Sequence, residues 1–236
     1  MTYKRIMLKL SGEALSKDGK GQGLHQPTLH EVADRIARVA SRGVQCVIVV
    51  GGGNIWRYRD TMESGIERTV SDAMGMLATI INAVALQAAL EKHDVHTRVL
   101  SAIAVPQLAE PYIRRRAIRH LEKGRVIICA GGTGNPFFTT DSAAALRALE
   151  LSCDVFLKAT NVDGVYDSDP KKNPKAKRYE RLTYQEAIEK NLGILDQAAF
   201  SLCREKDLPI RVFDFSDATA LDRAAKGEKV GTLVQG

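Results

Sequence analysis

The chain has 236 residues, 44% hydrophobic and 26% charged, with a net charge of +6. It is long enough to bury a core as one large α/β domain or two small ones, and its composition is close to that of an ordinary soluble protein. Charged residues are read as interrupting every apolar run, which excludes a membrane span, and the first ten residues are too short and too charged for a signal peptide. The cytoplasm is therefore the expected location.

In chain order, Ile6 to Leu10 predicts a first strand. Leu29, Val32, Ala33, Ile36 and Ala40 then recur at helical spacing. Val44 to Val50 is an almost wholly apolar run, the pattern of a strand covered on both faces. Leu77, Ile80, Ile81, Val84 and Ala88 mark a long helix, from Ser71 to Lys92. Arg98 to Leu100 predicts a short strand and Pro111 to Glu122 a helix with proline at its start. A strand follows at Arg125 to Cys129, an Ala-rich helix at Asp141 to Leu151, and a strand at Asp154 to Lys158. Asp167 to Arg181 is polar and reads as a β-hairpin or a flap. Thr183 and Glu186 form a capping box that opens another helix. Leu195–Lys206, Ile210–Phe213, Asp217–Lys226 and Thr232–Val234 complete the alternation. Strands alternating with helices predict a three-layer αβα sandwich with a mostly parallel central sheet. Ligands bind such sheets beyond the C-terminal strand ends, so the loops there carry the chemistry.

Four such loops stand out. Lys9-Leu10-Ser11-Gly12 ends the first strand with an ammonium, a hydroxyl and a glycine that lets backbone amides approach an anion. Gly51-Gly52-Gly53-Asn54 removes three side chains at the end of a buried strand, and the fork of Arg57 follows. Thr133-Gly134-Asn135-Pro136-Phe137-Phe138-Thr139-Thr140-Asp141 runs from glycines and hydroxyls into a helix N-terminus, a natural anion site; Asp141 reads also as a helix cap. Lys158-Ala159-Thr160-Asn161-Val162-Asp163-Gly164-Val165-Tyr166 closes a buried strand with a charge, and its Asp-Gly pair reads as a hairpin turn.

Other signatures are missing. No G-x-x-x-x-G-K-[ST], G-x-G-x-x-G, protein-kinase set, G-x-S-x-G or H-E-x-x-H occurs. Cys46, Cys129, Cys153 and Cys203 form no C-x-x-C pair and read as buried thiols. His93 and His96 read as surface residues. The basic runs Lys171–Arg178 and Arg114–Arg116 read as a solvated loop and the outside of a helix; no nucleic-acid-binding module is recognisable.

The four loops together resemble the amino-acid kinases. Gly51–Arg57, Asp72-Ala73-Met74-Gly75-Met76-Leu77-Ala78-Thr79 and Thr133–Asp141 resemble the bacterial uridylate (UMP) kinases within that family, and the likeness extends through Asp196–Phe200 and Leu208–Phe213. The resemblance implies a nucleoside-monophosphate kinase that moves the γ-phosphoryl group of ATP to UMP, with Mg²⁺, giving UDP and ADP. Lys9 and Lys158 would bind the ATP phosphates, and Asp141 would hold that pair. Leu10, Ser11, Gly12 and Gly53 would lie at the donor phosphates. Arg57 would hold the UMP phosphate at the junction with ATP, and Asp72 the ribose. Gly52 and the segment Thr133, Gly134, Asn135, Pro136, Phe137, Phe138, Thr139 and Thr140 would line the UMP site. Thr160, Tyr166 and Asp169 would meet the nucleoside end of ATP, and Asp196 would lie near the phosphates and Mg²⁺. The same resemblance implies an acceptor lobe over roughly residues 1–150 and an ATP lobe over roughly 151–236. It further implies a homohexamer and GTP or UTP effectors, with the Ser16–Gly23 region associated with control by GTP. Tyr58-Arg59 departs from the family, where a small residue is commoner.

Three rival readings stand beside this one. They are a kinase of the same fold with a carboxylate or carbamate acceptor, a non-catalytic nucleotide-binding protein, and a nucleic-acid-binding regulator motivated by the positive charge.

Overall fold

The computed structural model describes residues 3–17, 23–57, 65–170 and 172–236. The expectations attached to Tyr58, Arg59, Lys171 and residues 18–22 lie outside these.

The strands are β1 (Arg5–Leu10), β2 (Gln45–Val50), β3 (Thr97–Ser101), β4 (Glu110–Pro111), β5 (Val126–Ala130), β6 (Val155–Thr160), β7 (Arg181–Thr183), β8 (Ile210–Asp214) and β9 (Thr232–Gln235). The helices are α1 (Gln26–Ala40), α2 (Arg68–Glu91), α3 (Arg114–Glu122), α4 (Thr140–Glu150), α5 (Tyr184–Glu189), α6 (Gln197–Glu205) and α7 (Ala220–Ala225). All nine strands form one sheet in the order β4-β3-β5-β2-β1-β6-β8-β9-β7. Every pairing is parallel except β8 with β9.

Both sheet faces are covered, as continuous apolar strands require. One core packs α1, α2 and α7 on residues such as Ile6, Leu8, Ile48 and Leu157. The other packs α3, α4, α5 and α6 on Met7, Val47, Ile127 and Phe156. The period of two along β1 sends Leu8 and Leu10 into the first core and Met7 into the second. Each fully buried Ile, Leu or Phe contributes roughly 1.5–3 kcal/mol. The three-layer architecture expected from the alternation is thus observed.

β1 lies between β2 and β6, with the strands from β2 to β5 added on one side of it and those from β6 onward on the other, so the direction of sheet growth reverses there. Such a reversal opens a crevice at the C-terminal strand ends. Lys9 and Lys158 sit there as register partners.

Several expectations are corrected. Proline does not open α3: Pro111 lies in the outermost strand β4, where its missing N–H costs no ladder bond, and the helix starts at Arg114. Asp141 is not the cap of α4; Thr139 is, which frees the Asp141 carboxylate for other partners. Asp163-Gly164 does not turn a hairpin. Instead an antiparallel bridge joins Tyr166 to Arg178, and Asp163 takes hydrogen bonds from both side chains, at 2.5 and 2.8 Å. The 167–181 stretch is accordingly hairpin-like at its base, with the Asp167 N–H bonded to the Lys177 carbonyl at 3.1 Å.

The expectation that charges interrupt every apolar run is also corrected. No residue from Ala73 to Leu90 is charged. α2 is therefore long and apolar enough to cross a bilayer by length and composition, although 44% of its apolar window is buried against the protein. Val70, Leu77 and Ile81 form an exposed stripe along it.

Candidate active site

The centre of the crevice is a carboxylate shared by two lysines. Lys9 Nζ lies 2.7 Å from Asp141 Oδ1 and Lys158 Nζ lies 2.8 Å from Asp141 Oδ2. Adjacent parallel strands bring the lysines in from the sheet, and the first turn of α4 brings in the aspartate. Lys158 also donates to the Ile194 carbonyl at 2.7 Å. Burial alone pushes the Asp141 carboxyl upward, but the two ammonium groups outweigh it and hold the group below the usual carboxylate range. Two positive charges and one negative leave a net cation at a strand end.

A second carboxylate joins two helix starts. Asp196 caps α6 by accepting from the Ala199 N–H at 2.9 Å. It also accepts from the Ser142 hydroxyl at 2.9 Å and from the Thr139 hydroxyl, and Thr139 is itself the cap of α4. The positive ends of both helix dipoles are thereby tied together beside the lysines.

The glycine loops touch each other. A Cβ on Gly12 would meet Gly51 O at 2.6 Å and Gly53 N at 2.9 Å, and a Cβ on Gly52 would meet Gly75 O at 2.8 Å and Ala78 Cβ at 2.9 Å. Behind them Asn82, wholly buried in α2, donates to Gly51 O and Asn54 Oδ1, each at 2.7 Å. Asn54 returns a bond to Asn82 Oδ1 at 3.1 Å and donates to Gly23 O at 2.8 Å. This buried amide pair fixes the Gly51–Asn54 loop, since each buried polar atom left unpaired would cost about 1–3 kcal/mol.

Two cavities open in this region, and the lysines line the second. The first, about 330 Å³, is lined by Gly52, Gly53, Arg57, Asp72, Thr133, Asn135, Phe138, Thr139 and Thr140, together with Trp56, Arg68, Ser71 and Thr79. Its size suits a small ligand. Asp72 accepts the Phe137 N–H at 2.8 Å and pairs with Arg68 at 2.9 Å, so α2 and the Thr133–Thr140 loop close on each other. Phe137 holds φ 70°, a strained conformation for an aromatic residue and a usual companion of binding sites. Phe137 is mostly exposed, and Gly134 packs against Ala102 rather than facing this cavity. Leu10 is fully buried and offers only its backbone.

The second cavity, about 670 Å³, includes Lys9, Ser11, Glu13, Lys158, Thr160, Asn161, Asp214 and Phe215, with His25 just before α1 and Thr28 and Arg35 on it. The Thr160 hydroxyl donates to the Val162 carbonyl at 2.7 Å and shapes the turn after β6. Tyr166 and Asp169 stand on the hairpin, outside the walls of this cavity.

Sequence reading missed Glu13, which pairs with Arg57; Asn82, a polar residue inside an apolar helical run; and Trp56, whose indole donates to Ser71 at 2.9 Å. Asn82 alone carried a signal, because an amide between Ile81 and Ala83 must find partners. His93 and His96 are exposed as expected, and all four cysteines are free and buried. Among the described residues no group of three or more His, Cys, Asp or Glu side chains could hold a metal.

The Amino acid kinase family pattern matches residues 4–214. A uridylate kinase of Cereibacter sphaeroides is 53% identical over all of this chain and 96% of its own. A uridylate kinase of Xanthomonas oryzae is likewise 53% identical, over 100% and 98%. The crystal structure of the UMP kinase from Bacillus anthracis superposes with a TM-score of 0.96 at 41% identity, covering 100% of this chain and 97% of that one. With its strand-end lysines and glycine loops placed as described, the chain belongs to the amino acid kinase family.

Proposed function

We propose that this chain is a UMP kinase: it transfers the γ-phosphoryl group of ATP to UMP, giving UDP and ADP. The carrying observation is the Lys9–Asp141–Lys158 cluster, whose lysines line the second cavity while Thr139 and Thr140, next to Asp141, line the first. Full-length likeness to uridylate kinases supports the choice of acceptor.

UMP occupies the first cavity. Arg57 and Thr140 take its phosphate, Asp72 its ribose hydroxyls, and the Thr133–Phe138 loop its base. The ATP phosphates lie across Lys9, Lys158 and the amides of Ser11, Gly12 and Gly53, with Thr160, Tyr166 and Asp169 toward the nucleoside. Phosphoryl transfer asks the protein mainly for positioning and charge neutralisation. The two ammonium groups meet the charge that moves between the leaving and attacking oxygens, and Asp141 keeps them apart and aimed. An acceptor phosphate oxygen is already ionised near neutral pH, so no general base is needed. Mg²⁺ bound with ATP would supply charge neutralisation at its phosphates, and Asp196 steadies the helix starts beside them. The acceptor lobe spans roughly residues 1–150 and the ATP lobe roughly 151–236.

The protein acts in the cytoplasm as a homohexamer under GTP or UTP control. Four free thiols suit a reducing compartment, and the exposed α2 stripe supports self-association.

The test follows labelled phosphate from [γ-³²P]ATP. Label recovered in UDP supports the reading. Label recovered in inorganic phosphate alone, or retained in ATP, overturns it.

A further inference from the structure

The Arg57 guanidinium, on the wall of the first cavity, is ion-paired with the carboxylate of Glu13, on the wall of the second. Both partners have fixed roots. Arg57 Nε donates to the Gly53 carbonyl at 2.6 Å. Glu13 sits in the 3₁₀ turn Gly12–Leu15, where its N–H meets Ser11 Oγ at 3.3 Å and its carbonyl accepts the Ser16 N–H at 3.0 Å and the Ser16 hydroxyl at 2.7 Å. The loops that carry them are tied by the Gly51 N–H, which donates to the Leu10 carbonyl at 2.9 Å, and Gly12 lies too close to Gly51 and Gly53 to admit a side chain. The guanidinium fork therefore turns about a fixed base, with a carboxylate on one side and the first cavity on the other.

We propose that Glu13 is a positioning residue that competes with the acceptor phosphate for Arg57. This rests on reading the first cavity as the acceptor site. With that site empty, Glu13 holds the fork. An arriving phosphate dianion takes the fork from it by charge-assisted, bidentate hydrogen bonding. On product release the carboxylate recaptures it. The side chains are 22% and 32% exposed, so the pair is partly open to solvent and an arriving anion can reach the fork. Glu13 thereby lowers acceptor affinity and speeds product departure, and it couples a donor-side loop to the acceptor site.

The experiment is calorimetric titration of UMP into the full-length wild type and the Glu13→Gln, Glu13→Ala and Glu13→Asp variants, with UDP dissociation followed by stopped flow. The neutral variants are expected to bind UMP about two- to fivefold more tightly than wild type and to release UDP more slowly by a similar factor. Glu13→Asp, which keeps the charge, stays within about twofold of wild type. A carboxylate that merely braces the loop would give the opposite sign. Unchanged or weaker UMP binding in the neutral variants overturns the proposal; if one of them fails to fold, the other decides. A wild type that turns over UMP while its variants miss the expected shift sinks this inference alone. A wild type that binds no UMP sinks the acceptor reading with it.

Discussion

Lys9 and Lys158 are register partners on adjacent parallel strands, and each takes one oxygen of the same aspartate. Two ammonium groups this close would repel without Asp141 between them. The fold places a concentrated positive charge at the reversal point of the sheet while keeping it compensated at rest.

Removing either lysine should separate chemistry from folding. Lys9→Ala and Lys158→Ala are expected to lower kcat by about 10²–10³, the usual loss for one donor aimed at transition-state charge. Far-ultraviolet circular dichroism should match wild type. Full activity in either variant would remove that lysine from the mechanism.

Acid should weaken the native state through Asp141. Its carboxyl is held below the usual range in the folded protein, so the unfolded chain binds the proton first as pH falls. The stabilisation is fully present above about pH 4, the unfolded range, and is lost as pH drops through the lower folded value. Urea titrations across this window should show wild type converging on Asp141→Asn. A gap that stays constant with pH would contradict this.

Gly12→Ala tests the contact between the glycine loops. The added methyl would press on Gly51 O and Gly53 N, both backbone atoms. A stability loss of about 1–3 kcal/mol in urea unfolding is expected, with a fall in turnover. Wild-type stability would show that the loops part easily.

The thiols should be inert. Burial pushes Cys46, Cys129 and Cys203 each up to about 12, and Cys153 is raised as well. The thiolate is the reactive form, so labelling with a disulfide reagent at about pH 8 should wait for unfolding. Rapid reaction of any cysteine in the native protein would count against the packing described.

Much of this was legible in the sequence because strand ends advertise themselves. Val44 to Val50 followed by three glycines locates both a central strand and a wall of the first cavity, and Thr133 to Asp141 marks the loop that closes on Asp72. What stayed hidden depends on partners distant in the chain. Glu13 looks like any exposed acid until the fold sets it beside Arg57, 44 positions away. Asp141 read equally well as a cap because the competition from Thr139, two residues earlier, is settled by backbone geometry. β4 and β7 are too short to carry a periodic signal, and they exist because neighbouring strands offer them a ladder. Pro111 misled for the same reason: helix starts and edge strands both tolerate proline.

The account stands most directly on acceptor choice. ADP release from Mg·ATP should be measured with UMP, CMP, aspartate, acetylglutamate and carbamate in parallel, with Lys9→Ala as the control. Strong turnover with UMP, abolished in the control, is the predicted result. Turnover with a carboxylate or carbamate and none with UMP would contradict it, and so would silence with every acceptor.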